Sequence, residues 1–188
     1  GSYNYESTRS ISGSAVGLGL SAGENYLFVQ QEDTGGQYSG IIYSVTVTVE
    51  YCVVETELKS GMRYHPINGW MPFGVGTTMP SVRAITLPEV FTSADLTIAF
   101  DDLGQGLGGN AVTVTPNAGW GTLSQQTQWI NSHNGSSGDH HRSVLYAIDF
   151  MLPMTLAPGS IATLDLEWTA DDRLDGVFMN GQSGALSL

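Results

Sequence analysis

Ile41-Ile42-Tyr43-Ser44-Val45-Thr46-Val47-Thr48-Val49-Glu50-Tyr51-Cys52-Val53-Val54 is the stretch whose reading decides the fold. Val45, Val47, Val49 and Tyr51 alternate with Ser44, Thr46, Thr48 and Glu50, so an extended chain turns one face to a core and the other to water. The run is dominated by β-branched residues, which suit a pleated surface and lose χ1 freedom in a helix. It therefore predicts a long strand over Ile41 to Val54. Upstream, Tyr26-Leu27-Phe28-Val29 is a second apolar run, separated from the first by Glu32-Asp33-Thr34-Gly35-Gly36. Turn formers in that spacer predict that the two runs pair as an antiparallel hairpin.

Working outward, Gly, Pro, Asn, Ser and Thr interrupt the chain about every eight to twelve residues, and apolar residues do not recur at helical spacing. Further strands are expected at Ile11 to Leu20, Ser81 to Leu87, Leu96 to Phe100, Ala111 to Thr115, Ser143 to Met151, Ile161 to Thr169 and Val177 to Asn180. The total of about nine or ten strands reads as an all-β, two-sheet antiparallel sandwich of jelly-roll type. Residues 1–60 are assigned to the same sandwich as residues 61–188. Within the second stretch there is a faint internal echo between 69–114 and 119–181. Gly69-Trp70, Leu87-Pro88 and Ala94 to Ile98 recur as Gly119-Trp120, Leu152-Pro153 and Ala162 to Leu166. Lys59 to Met71, which holds Gly61, Pro66 and Gly69, is where a domain boundary would fall.

Composition narrows function by exclusion. The 188 residues carry 18 acidic against 6 basic side chains, a formal charge of −12, with 41% hydrophobic residues. That is enough apolar material for a core, while the charge repels phosphate backbones and argues against nucleic-acid binding. No run approaches the roughly 18 consecutive apolar residues of a membrane span. The single cysteine, Cys52, allows no internal disulfide. In mid-strand it reads as a small buried hydrophobe, although pairing with His65 would make it a nucleophile.

Several constellations bear on chemistry. Asp101-Asp102, and Asp171-Asp172 with Asp175, fall where strands are expected to give way to turns. Clustered carboxylates of this kind suit calcium, but Asp is also a favoured turn former. Two such acids across a cleft would serve a glycosidase. His133, Asp139, His140 and His141 lie in a polar loop, but adjacent side chains on extended backbone diverge and make a poor chelate. Asn134-Gly135-Ser136 is a glycosylation sequon in the same loop. Gly104-Gln105-Gly106-Leu107-Gly108-Gly109 matches a dinucleotide-binding pattern, yet it leads into Ala111-Val112-Thr113-Val114-Thr115 rather than opening a helix, so it reads as a loop. Trp70, Trp120 and Trp129 sit in or beside Gly/Asn/Ser-rich turns. They read either as platforms for a sugar face or partner surface, or as plugs at the ends of a sandwich. Trp168 alternates with Leu164 and Leu166 and reads as core.

From about Ile98 onward, over 98–188, the chain resembles the jelly-roll, galactose-binding-like module of bacterial surface proteins that carry a PEP-CTERM sorting tail. The resemblance rests on Gln128-Trp129-Ile130, Tyr146-Ala147-Ile148-Asp149-Phe150, Leu164 to Asp172 with its Trp168 and Asp171-Asp172, and Val177-Phe178-Met179-Asn180-Gly181. It implies a secreted or cell-surface module with no catalysis of its own, binding a glycan or a surface protein, with Asn180 added to the tryptophans as a contact residue. Members continue past the Asn-Gly turn into further strands and a tail that these residues do not include. Residues 23–58 are similar to the closing strands of a viral capsid jelly roll, which implies instead a coat or spike domain on a virion. For either, an exposed strand edge offers self-association.

Overall fold

The computed structural model describes residues 5–33, 40–50, 54–116, 120–123, 127–133, 143–153 and 155–181. Twelve strands and one helix follow in chain order: β1 (Tyr5–Ser14), β2 (Gly23–Glu32), β3 (Ile41–Val49), β4 (Val54–Lys59), β5 (Met62–His65), β6 (Gly69–Pro72), β7 (Thr78–Thr86), α1 (Ser93–Gly104), β8 (Gly109–Thr113), β9 (Ile130–Asn131), β10 (Ser143–Leu152), β11 (Ile161–Ala170) and β12 (Arg173–Met179). The fold is all-β. One large antiparallel sheet runs β1-β11-β3-β9-β8-β7-β10-β2-β12, with β4 also paired to β3, and β5 and β6 form a separate two-stranded sheet.

The large sheet curls on itself, and its concave face holds the main core. Val45, Val47 and Val49 of β3 meet Leu164, Leu166 and Trp168 of β11, Tyr146, Ile148 and Phe150 of β10, and Leu27 and Val29 of β2. These valines are the alternate set read from the sequence, and each is completely buried. Their strand stops at Val49 and turns back into β4, with Val49 opposite Val54. Cys52 lies outside the described residues. So do Asn134 to Arg142, which include the sequon and the Asp-His-His run.

Pairing departs from the sequence reading in one respect that matters. β2 does not pair with β3: it lies between β10 and β12, while β3 lies between β11 and β4. A local hairpin was the cheapest closure on entropic grounds, but β10 gives β2 a ten-residue register, Ser143↔Glu32 to Leu152↔Gly23, across which apolar faces match. β3 is thus an interior strand. Strand β1 ends one side of the sheet, and Arg9 stands opposite Leu166 there, on the same face as Ile11 opposite Leu164. A charge in that position blunts an edge against further pairing.

Leu96 to Phe100 is a second correction, since these residues belong to α1 rather than to a strand. Thr92 and Asp95 form a capping box, the Thr92 hydroxyl accepting from the Asp95 amide at 3.3 Å and the Asp95 carboxylate from the Thr92 amide at 2.7 Å. Leu96, Ala99, Phe100 and Leu103 then share one helical face. That face covers Phe28, Leu145, Ala147 and Phe178 on the convex side of the sheet. Cover on both sides explains why β10 reads as a nearly continuous apolar run. Of the segments in the internal echo, Ala94 to Ile98 is helical whereas Ala162 to Leu166 lies in β11. The glycine-rich Gly104 to Gly109 links α1 to β8, following a helix and not preceding one.

Candidate functional site

Lys59 to Met71, read as a possible boundary, is an arm built on the body of the sheet. It is anchored at Ser60, which is fully buried. The Ser60 amide donates to the Tyr43 carbonyl at 3.0 Å, its hydroxyl accepts from the Tyr43 amide at 2.9 Å, and its carbonyl accepts from the Gln128 amide at 2.9 Å. Gly61 then takes φ +66°, in the left-handed region, and a β-carbon there would lie 2.4 Å from Cβ of Gln128. Only glycine fits this turn. Beyond it, β5 and β6 pair with Tyr64 opposite Trp70, and His65 Nδ1 accepts from the amides of Ile67 and Asn68 across the tip.

The arm places Tyr64 and Trp70 side by side, ring centres 5.7 Å apart at 70°. Trp70 is fixed from below: its indole N–H donates to Glu57 Oε2 at 2.6 Å, and Lys59 Nζ lies 3.3 Å from the same oxygen and 5.2 Å from the indole centre. The indole N–H and the Glu57 charge are therefore both used internally, and what remains available is ring surface. Tyr64 is 64% exposed and Ile67 at the tip is 87% exposed. Tyr64, Trp70 and Glu57, together with Glu55 and Thr56, line a hollow of about 470 Å³. Lys59 lies beside it over the Trp70 ring, and Arg63, its neighbour in the arm, lies over the Phe73 ring.

The other two turn-borne tryptophans do not form platforms. Trp120 and Trp129 are buried, 4.2 Å apart, and close over Ile42, Val114 and Leu123 on the convex face of β3. Trp129 donates to the Gly121 carbonyl at 2.9 Å and Trp120 to Asp171 Oδ1 at 3.0 Å. They are plugs. Asp171 is itself buried, and desolvation pushes its carboxyl up to about 6 against the favourable Trp120 hydrogen bond, with Asp172 and Asp33 adding repulsion. Trp168 is core, as read.

The acidic groups read as calcium candidates lie in two separate places, α1 and the β11–β12 turn with the start of β12. Asp101 and Asp102 lie in α1, not at a strand end. Asp171 serves Trp120, Asp172 occupies the β11–β12 turn at φ +64°, and Asp175 pairs with Arg173 and accepts from Gln30 at 3.2 Å. Among the described residues no three His, Cys, Asp or Glu side chains converge where an ion would sit. Asn180 is spent on structure as well, accepting from the Tyr26 amide at 2.7 Å and donating to Gly19 O at 2.7 Å and Asn25 Oδ1 at 2.9 Å.

Tyr64, Glu57 and Lys59 are site residues that sequence reasoning did not single out. One signal was available: Asn68-Gly69 is a hairpin dipeptide, and pairing around it sets Tyr64 against Trp70. No described helix is long and apolar enough to cross a membrane. No protein-family profile, curated protein or solved structure matches this chain.

Proposed function

We propose that the chain is a non-enzymatic, extracellular or surface-borne attachment module that contacts carbohydrate through the Tyr64–Trp70 arm. The observation that carries this reading is the exposed Tyr64 ring set edge to face against Trp70, whose indole is held by Glu57 and Lys59. Aromatic rings offer flat apolar area to the C–H face of a sugar, and rings already fixed in place lose little entropy on binding. Glu55, exposed at the rim of the same hollow, supplies a carboxylate that accepts from sugar hydroxyls.

Glycan-array binding followed by calorimetry on the best ligand tests the proposal. Tyr64→Ala is the informative variant, because so exposed a side chain is dispensable for folding. Its far-ultraviolet dichroism should match the parent, while affinity should fall at least about tenfold, the effect of deleting an aromatic anchor. Failure of the intact protein to bind any glycan, or undiminished binding by Tyr64→Ala, refutes the proposal.

A further inference from the structure

A second concavity, separate from the arm, opens where the β2–β12 ladder ends beneath the last turn of α1. It holds about 600 Å³ and brings together Asp101 and Asn180, two residues far apart in sequence, with Tyr26, Phe28, Phe100 and Gln105. That volume is within the usual range for a small-molecule site. Its corner is rigid. The Asn180 amide donates to the Tyr26 carbonyl at 2.8 Å and its side chain accepts from the Tyr26 amide, so Tyr26 is clamped at both backbone groups. Phe28 and Phe100, buried and 4.8 Å apart edge to face, make the apolar back wall. Tyr26 stands half-buried beside them, 6.1 Å from Phe28.

Among the described residues no Lys, Arg or His lines this cleft, and Asp101 is its one carboxylate. α1 ends at the same place, and the carbonyl end of a helix carries roughly half a negative charge. Its last turn contains Asp102 and no basic residue. Arg83, in a neighbouring small hollow that Tyr26 also lines, donates to the Gly106 carbonyl and shares that hollow with Glu24 and Asp149, which outnumber it. One lining carboxylate and no lining cation favour a positively charged ligand over an anion. Aromatic walls under a negative field are the surroundings in which an ammonium group is held, the ring quadrupole and the carboxylate acting together.

From this geometry we infer a binding site for an organic ammonium group in the cleft between α1 and the β2–β12 edge, with Asp101 as counter-ion and Tyr26, Phe28 and Phe100 as the aromatic wall. The site is independent of the carbohydrate arm and stands or falls separately.

The test is a ¹H–¹⁵N NMR titration of the intact chain with three probes: choline, Nα-acetyl-lysine amide, and 3,3-dimethylbutan-1-ol, the neutral isostere of choline. A saturable response is expected at the amides of Gly104, Gln105 and Gly181. At least one of the two cations should bind about two- to fivefold more tightly than the neutral alcohol, the range one exposed charge contact carries. The tighter cation identifies the source as a quaternary headgroup or a lysine side chain. Asp101→Asn, an exposed change on α1 that leaves the fold intact, should erase the preference over the alcohol, and added salt should weaken it. Equal binding of the alcohol and the cations, or a response that does not saturate, or a cation preference that survives Asp101→Asn, overturns the inference.

Discussion

Replacing Asp171 by Asn should make the protein more stable at neutral pH and remove part of its response to acid. The folded carboxyl is pushed from the ordinary 3.8 up to about 6, first by desolvation. A raised acid binds its proton more tightly folded than unfolded, so its contribution to stability is largest below the unfolded pKa and is lost as pH rises through the folded one. Raising the carboxyl that far corresponds to about 3 kcal/mol, of which roughly 1.4 kcal/mol develops between about pH 7.5 and pH 5. Asn retains an oxygen to accept the Trp120 N–H at no ionisation cost. Glu32 and Asp149 are raised by burial too and act in the same direction, so the informative quantity is the difference between parent and variant. Urea unfolding followed by tryptophan fluorescence at the two pH values measures it, Trp120 and Trp129 reporting from the site itself. Asp171→Asn should exceed the parent by about 2 kcal/mol or more at the higher pH and by distinctly less at the lower. A parent that grows more stable as pH rises over this window, or a variant with an unchanged pH slope, refutes the argument.

Two further substitutions probe the packing that positions the sites. Gly61→Ala imposes left-handed strain and drives a methyl group into Gln128, so it should lower stability by about 2 kcal/mol or more in the same unfolding assay, and it should weaken carbohydrate binding because the arm starts at this turn. Tyr146→Phe should act oppositely: the Tyr146 hydroxyl is wholly buried and has no hydrogen-bond partner among the described residues, so its removal should raise the melting temperature by a few degrees, corresponding to about 1 kcal/mol.

The legible parts of the fold were those set by neighbours in sequence. The alternation from Ser44 to Val49 placed the correct face of β3 in the core, and β10, β11 and β7 fell close to where their apolar runs lie. Errors arose where long-range contacts outweigh local pattern. Leu96 to Phe100 taken alone alternates like a strand, and only the Thr92–Asp95 capping box and the later Leu103 reveal the helix that covers β10. Strand β2 took partners more than a hundred residues away because their apolar faces complement its own in register, which no turn signal near Asp33 reports. The short strands β5, β6 and β9 were missed because two to four residues give too little periodicity to read.

The same distinction separates the tryptophans. Trp70, Trp120 and Trp129 all lie in or beside Gly/Asn/Ser-rich turns, so turn chemistry could not rank them. Trp120 finds its acceptor in Asp171, 51 residues away at the start of another hairpin, and reaching it draws the indole over β3 and out of water. Trp70 finds its acceptor in Glu57, 13 residues away on the strand that leads into its own arm, so the N–H is satisfied while a side of the ring stays at the surface. A satisfied indole N–H is needed in both places, since leaving one buried and unpaired costs about 1–3 kcal/mol. Where along the chain that acceptor lies decides whether the ring becomes core or contact surface, and at Trp70 the local acceptor leaves it beside the exposed Tyr64 where a ligand can reach it.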